Sequence, residues 1–478
     1  MRNFDLEINK ITEYCYADIV FSDETQLQAI YALKDAMACA ILSLDNPNCN
    51  QHIAPFFKHF GLGQSASNIG IEIPGTPHRL DLFQASYVFG CMIRWLDYND
   101  TWLAREWGHP SDNLGALIAA AVFSSKEQKN SFSINDLLDA MIRAYEIQGI
   151  LALDNSFNEA GYDHVILVKL ASTALSCKLL GANMRQCNNA LSNALLDGAP
   201  LRTYRHQPNT GWRKSWAAGN ACRQAIEHAF NAINNEMGYP SALTESQWGF
   251  DKIILNNKPL KTQHKYSDYV MRNILFKISY PIEFHAQTAV ECAINLHNTF
   301  KDKYSCNIDK IESVTIATHK AAMRIINKTG KLNNPADRDH CIQYGVSASL
   351  LAGDLNSNMF SNEYSSNPEI DKLREKIIII EDNDFTDLYY QEDKRAIANR
   401  ITIQYMDTQI DTMEILYPLG HRNRRKEALP ILDQKFEKSI REHFSDNIAA
   451  EILHSFSDAE KLKSIPVIDW LSLWIKGD

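Results

Sequence analysis

From Ala85 onward the chain sets apolar residues at three- and four-residue intervals: Ala85, Val88, Phe89, Met92, Ile93 and Leu96. That period places them on one face of a helix and predicts a buried stripe. The same spacing then carries the stripe onto Asp97, Asp100 and Thr101. Two carboxylates and a hydroxyl are therefore expected where the next apolar residues should sit. A helix whose buried side turns acidic at one end lines a cavity, meets a partner, or ends in a buried polar knot. Gly108, His109 and Pro110 follow as a short turn, with Ser111 or Asp112 expected to cap the apolar helix that starts at Leu114. The pattern holds one histidine between two buried helices, close to an acidic face.

Helical periodicity runs to about residue 275. Ser133 reads as a helix cap with Asp136 three residues on, followed by Leu137, Leu138, Met141, Ile142 and Tyr145 on one face. The stretches 165–182 and 216–233 are also helical and rich in small residues that allow close helix approach. Near residue 276 the texture changes. After one more helix (285–300), Val314, Ile316 and Thr318 alternate, Ile377–Ile380 read as a short strand of the buried type, and Ile401, Ile403 and Tyr405 alternate again. Residues 412–418 suit a hairpin partner for that last strand. One helix interrupts them, capped by Asn334, with Pro335 at its first position and Gly353 at its end. From Arg425 to Trp474 the pattern is helical once more. The expected fold class is mainly α: a large all-helical domain plus a smaller inserted α+β domain. The boundaries expected are 1–275 for the helical domain, 276–420 for the α+β domain, and 421–478 for C-terminal helices returning to the helical domain.

At 478 residues with 45% hydrophobic content the chain can bury a large core and fill two or three domains. Its net charge of −10 gives no global attraction to nucleic acid or to an anionic membrane, so neither is expected as a partner. Any anionic substrate needs a local positive field. The ten cysteines form no C-x-x-C pair and read as reduced thiols packed as small hydrophobes. The N-terminal residues lack an apolar signal core, and the longest apolar run, 114–123, is about half of the roughly 20 residues a bilayer span needs. The expected location is cytoplasmic.

Against that acidic background, Arg202, Arg205, His206, Arg213 and Lys214 stand close together around a turn at Pro208, Asn209 and Gly211. Ser215 is expected to cap the helix that follows, giving free N–H groups beside two cations, a ready carboxylate or phosphate site. His164 stands just ahead of an apolar helix. Lys277, Glu283 and His285 surround Pro281 at the change of texture. On the helix after Pro335, Asp337, His340 or Cys341, and Tyr344 are expected to share a face. The basic run His421, Arg422, Arg424, Arg425 and Lys426 is too short, and too poor in aromatics, for a nucleic-acid site; a structural or substrate-side turn is expected. There is no H-E-x-x-H, P-loop or G-x-S-x-G, and the nearest approach to a dinucleotide fingerprint, 61–70, has the wrong spacing. No histidine pair has metal-ligand spacing. What remains is a site of His, Lys, Arg, Asp and Tyr, expected to work without cofactor or metal: cations hold an anion while His or Tyr moves protons.

Six stretches, RWLDYNDTWLAREWGHPSDN, LDNSFNEAGYDHVILVKLAS, RTYRHQPNTGWRKSWAAGN, KISYPIEFHAQTAVECA, NNPADRDHCIQY and YPLGHRNRRKE, resemble in order the signature stretches of the MmgE/PrpD family. The resemblance spans roughly residues 80–430. It implies a large helical domain with a smaller α+β domain, a homodimer as the family's common assembly, and a tricarboxylate as the small-molecule substrate. The activity it implies is dehydration of 2-methylcitrate to 2-methyl-cis-aconitate in propionate breakdown, with no iron–sulfur cluster. Similarity to family members that decarboxylate cis-aconitate implies site roles for Asp97, Thr101 and His109 (the D-x-x-D-T…H-P pattern), His164, Lys214 and Tyr344. Arg213 beside Lys214 joins them as a substrate-binding cation. Lys277 and His285 match more loosely, because the spacing around Pro281 differs. On this reading His109, His164, Lys214 and Tyr344 are catalytic, and Asp97, Thr101, Arg213, Lys277 and His285 bind substrate. Which histidine acts as base is left open.

Overall fold

A computed structural model describes residues 3–62, 70–127, 131–206 and 208–476; most of the glycine-containing stretch 61–70 lies outside it. The fold is mostly helical with small sheets, 59% helix against 9% strand. The chain packs as two compact units. One holds Met1–Tyr204, Arg213–Phe276 and Leu429–Asp478; the other holds Arg205–Trp212 and Lys277–Ala428.

In the first unit most of the periodic stripes form helices, but the expected all-helical domain also holds two two-stranded sheets, and among the described residues between Ile233 and Tyr269 the only helix is the short Phe250–Ile253. Ile134–Asp154 starts with the Ser133/Asp136 capping box, and Val165–Leu179 is buried on nearly every side. The small residues set how closely three helices cross. A Cβ on Gly90 would lie 2.7 Å from the Cα of Gly219, and one on Gly115 would lie 2.7 Å from the Gly90 nitrogen. Only glycine allows backbones that near each other. Leu82–Arg94, Leu114–Lys126 and Arg213–Ile233 therefore meet at one point. Ser215 Oγ donates to the Trp95 carbonyl (3.1 Å), so the start of Arg213–Ile233 lies beside the end of Leu82–Arg94 and the two helices run antiparallel. Among the described residues no single helix is long and apolar enough to cross a membrane.

The second unit holds a four-stranded sheet. Ile311–Thr318 pairs in parallel with Ile377–Glu381 and antiparallel with Asn399–Tyr405, which pairs in turn with Ile410–Ile415 as a hairpin. Ile401, Ile403 and Tyr405 alternate inward onto Gln287–Tyr304, which packs in turn on Ile342–Ala352, as the period of two requires. One expectation fails. Ile377–Glu381 is an edge strand, and Ile378 and Ile380 on one of its faces are 56% and 45% exposed, so it is not a strand of the buried type. The helix expected across 335–352 is two helices. Asn334 caps Pro335–Arg338 as expected, but the chain breaks at Asp339–Cys341 and starts again as Ile342–Ala352, ending at Gly353 with φ +73°. Asp337, His340 and Tyr344 thus share no helical face.

Candidate active site

The stripe on Leu82–Arg94 does not continue to Thr101. The helix stops at Arg94, and Asp97 adopts φ +50°, a left-handed conformation that aspartate tolerates better than most residues. Asn99 and Asp100 then spend their side chains on local polar partners, which disfavours a helix. The expected shared face of Asp97, Asp100 and Thr101 is replaced by a turn leading into a tight hairpin. Trp102–Leu103 pairs with Trp107–Gly108, and that pairing sets Thr101 opposite His109. Thr101 is fixed on its other side by exchanging backbone hydrogen bonds with Leu275 (2.8 and 3.0 Å).

The turn is a buried polar knot. Asp100 Oδ1 accepts from the backbone N–H and hydroxyl of Ser111 (3.0 and 2.7 Å), and Oδ2 accepts from the Tyr145 hydroxyl. Burial pushes the Asp100 carboxyl up to about 7, against the pull of those donors. Asn99 donates to Ser111 Oγ and to Asp112 Oδ1. Ser111 and Asp112 thus serve the knot, and a 3-10 turn, Pro110–Asn113, leads straight into Leu114–Lys126, whose cap position is Asn113. Asn113 donates to Gln148 (2.6 Å) and accepts from Ser172 (2.7 Å), tying three helices to the turn.

His109 sits at the centre. Pro110 biases it to an extended backbone, observed at φ −128°. Its Nδ1 lies 2.7 Å from the Asp100 carbonyl oxygen and 3.3 Å from Thr101 Oγ1. A carbonyl can only accept, so Nδ1 carries the proton and the neutral ring keeps its lone pair on Nε2. Asp97 Oδ1 lies 3.7 Å from that Nε2, while Arg94 holds the same carboxylate at 2.6 Å. The His164 ring stands 5.8 Å away, centroid to centroid, at the start of Val165–Leu179. Asp163 Oδ1 is 3.5 Å from His164 Nδ1 and also accepts the Val165 N–H. Gly108 is what lets the second imidazole approach. A Cβ there would meet His164 Cδ2 at 3.2 Å and Gln148 Nε2 at 3.0 Å.

Lys214 is buried in the first turn of Arg213–Ile233. That helix starts at Arg213, so Ser215 lies inside it and bonds Trp95 instead of capping. Arg213 is half-buried, stacked on Trp216 (4.3 Å) and near Tyr204 (5.2 Å). It also lines a cavity of about 210 Å³ with Lys169, Asp197 and Asn220. Asp97, Thr101, His109 and His164 form one knot, and the Ser215–Trp95 bond brings the helix start that bears Lys214 to the end of the helix leading into it.

The other expected site residues belong to the second unit. His285 is fully buried, with Nδ1 at 2.8 Å from Glu283 Oε1 and Nε2 at 3.2 Å from the Tyr389 hydroxyl. Burial would raise the Glu283 carboxyl, but His285, His340 and Lys277 hold it down at about 2. Lys277 and His285 thus gather around Glu283, to which the 335–341 segment is tied by the Glu283 N–H to Asp339 carbonyl bond (2.9 Å). Tyr344 is buried against Phe360 and donates its hydroxyl proton to the Met359 carbonyl (2.6 Å). It also lines a cavity of about 670 Å³ with Lys328, Arg338 and Arg374. In the basic run after Tyr417, His421 caps a turn and Arg424 makes a two-pronged pair with Glu291. Sequence reasoning missed the Asn113–Gln148–Ser172 network and the Gly108 contact, since neither leaves a local pattern.

Residues 9–263 match the MmgE/PrpD N-terminal domain and residues 280–459 the MmgE/PrpD C-terminal domain. The chain is 45% identical over 477 residues to the 2-methylcitrate dehydratase of Escherichia coli (strain K12), covering 99% of this chain and 98% of the relative. It is similar to the 2-methylcitrate dehydratase of Cupriavidus necator (45% identity, 92% of this chain and 91% of the relative). A third relative, the mitochondrial 2-methylcitrate dehydratase of Yarrowia lipolytica, is 42% identical over 100% of this chain and 91% of its own length. With both domains matched and relatives of this similarity along nearly its full length, the chain belongs to the MmgE/PrpD family.

Proposed function

We propose that this chain is a hydro-lyase that dehydrates 2-methylcitrate to 2-methyl-cis-aconitate. The observation that carries the reading is the imidazole pair: His109 anchored through Nδ1 on a backbone carbonyl, and His164 with Asp163 at its Nδ1. It stands in a chain closely similar to named 2-methylcitrate dehydratases.

The reaction takes a proton from the methyl-bearing carbon, α to a carboxylate, and expels the hydroxyl from the neighbouring carbon. Such a C–H bond is weakly acidic, so the charge that develops on the adjacent carboxylate must be neutralised. Lys214 and Arg213, in the first turn of Arg213–Ile233, supply that charge, and the positive end of the helix dipole adds to it. Neutral His109 takes the proton on Nε2, and Asp97 steadies the imidazolium that results. His164 begins protonated, favoured by Asp163, and gives its Nε2 proton to the departing hydroxide, which leaves as water. The C–H electron pair becomes the new double bond, and the C–O pair leaves with oxygen. His109 ends one proton richer and His164 one poorer, and exchange with solvent resets both. His164 is preferred to Tyr344 as donor because the Tyr344 proton is engaged by Met359. Lys277, His285 and Tyr344 belong to the second unit, and no step depends on them.

The test is to follow the absorbance of the new conjugated double bond with purified protein and 2-methylcitrate, with citrate and cis-aconitate as alternative substrates and carbon dioxide release monitored. His109→Ala and His164→Ala should each lower kcat by about 10²–10⁴-fold with folding intact by circular dichroism. Near-normal turnover in both variants overturns the roles, and turnover of cis-aconitate with carbon dioxide release but none of 2-methylcitrate overturns the reaction.

A further inference from the structure

The helix Arg425–His443 contributes a buried lysine to the first unit, 337 residues beyond Tyr98 of the site turn. Lys435 Nζ donates to Asp35 Oδ1 (2.7 Å) on the helix Asp23–Ser43 and to the backbone carbonyl of Tyr98 (2.9 Å). It also lies 3.4 Å from Cys39 Sγ and 3.5 Å above the Tyr98 ring. Tyr98 stands in the turn between Asp97, which faces His109 Nε2, and Asp100, whose carbonyl holds His109 Nδ1.

A buried ion pair gains little net stability over an apolar pair of the same size, so the Lys435–Asp35 bridge alone does not account for a lysine here. Its bond to the Tyr98 carbonyl is the informative one. Residues 95–100 have no helix or strand to fix their carbonyls, and the turn carries a strained Asp97. An ammonium held by Asp35 fixes one of the three peptides between the two residues that orient the base.

We infer that Lys435 is a positioning residue for the dehydration, setting His109 through the Tyr98 carbonyl and the turn around it. Asp35 holds the ammonium, and the Asp97 carboxylate and Asp100 carbonyl pass its position to the imidazole. This rests on His109 acting in the reaction. Neither Lys435 nor Asp35 touches substrate.

The experiment compares three variants with 2-methylcitrate. Asp35→Asn removes the carboxylate that holds the ammonium but leaves Lys435 able to donate to Tyr98; its melting temperature should fall, and its kcat should lie between those of the parent and the double variant. Lys435→Met with Asp35→Asn removes both charges together and leaves no buried charge unpaired. Its kcat should fall about 10- to 100-fold, the cost of misplacing a reacting group by up to an ångström, with KM within about twofold. Should that pair fail to fold, Lys435→Gln with Asp35→Asn is read in the same way. A kcat within twofold of the parent in the folded double variant, whatever its melting temperature, overturns the inference and makes the lysine a stability element. His109→Ala separates the two failures: if it keeps activity, the reading of the site fails, and if it loses activity while the double variant does not, only the role of Lys435 fails.

Discussion

Gly108→Ala adds one methyl group between two parts of the candidate site. Glycine here has no positive φ, so alanine fits the backbone and gains roughly 0.5–1 kcal/mol from a less flexible unfolded chain. The methyl would stand 3.2 Å from His164 Cδ2 and 3.0 Å from Gln148 Nε2. Comfortable carbon contacts lie at about 3.5–4.0 Å, so the imidazole and the amide must each retreat by roughly half an ångström. Gln148 is held by Asn113, which is held by Ser172, so the imidazole takes much of the shift. Overpacking costs about 1–3 kcal/mol, leaving a net loss of about 0–2.5 kcal/mol. A half-ångström error at a reacting group is at the edge of what catalysis tolerates, so kcat should fall about tenfold, with KM little changed. Steady-state kinetics with 2-methylcitrate and a thermal melt test both parts. A folded Gly108→Ala with full kcat refutes the claim that the His109–His164 spacing matters to the chemistry.

Two further outcomes concern the fold. Gly115→Ala would press a methyl to 2.7 Å from both the Gly90 nitrogen and the Ser86 carbonyl, where backbone cannot yield as a side chain does. Chemical denaturation should show a loss of about 1–3 kcal/mol or more, and an unchanged midpoint would refute the close three-helix crossing. Glu106 is buried, accepts from the Asn158 N–H and amide, and is pushed up to about 7 by burial despite Arg202. A carboxyl raised from about 4.5 to 7 binds more protons folded than unfolded, so its contribution is whole below pH 4.5 and lost as pH rises through 7. That loss is on the order of 3 kcal/mol, and Glu106→Gln should flatten stability against pH across that window. An unchanged pH slope would refute it.

The sequence carried most of the local structure because local structure is set by spacing and capping. The Ser133/Asp136 box, the Asn334–Pro335 start, the Gly353 stop and the inward alternation of Ile401, Ile403 and Tyr405 are all read within a few residues of chain. It also marked His109 and His164 as worth attention, each at the start of a turn or helix. Its failures share one cause. Periodicity extended a helix through Asp97 and Thr101, and another from Asp337 to Tyr344, because a pattern of spacings does not register where a buried polar side chain finds its partner. Asp97 turns left-handed beside Arg94, and Tyr344 gives its proton to Met359, since those partners are in place only once the chain has packed.

What the amino-acid order determined alone was the set of elements and the residue types that could do acid–base work, because both depend on neighbours a few positions apart. Tertiary structure alone decided which nitrogen of His109 holds its proton, how near His164 may come past Gly108, and that Lys435 reaches the Tyr98 carbonyl. Those depend on atoms from distant parts of the chain meeting within hydrogen-bond or van der Waals reach, and such meetings exist only in the packed molecule.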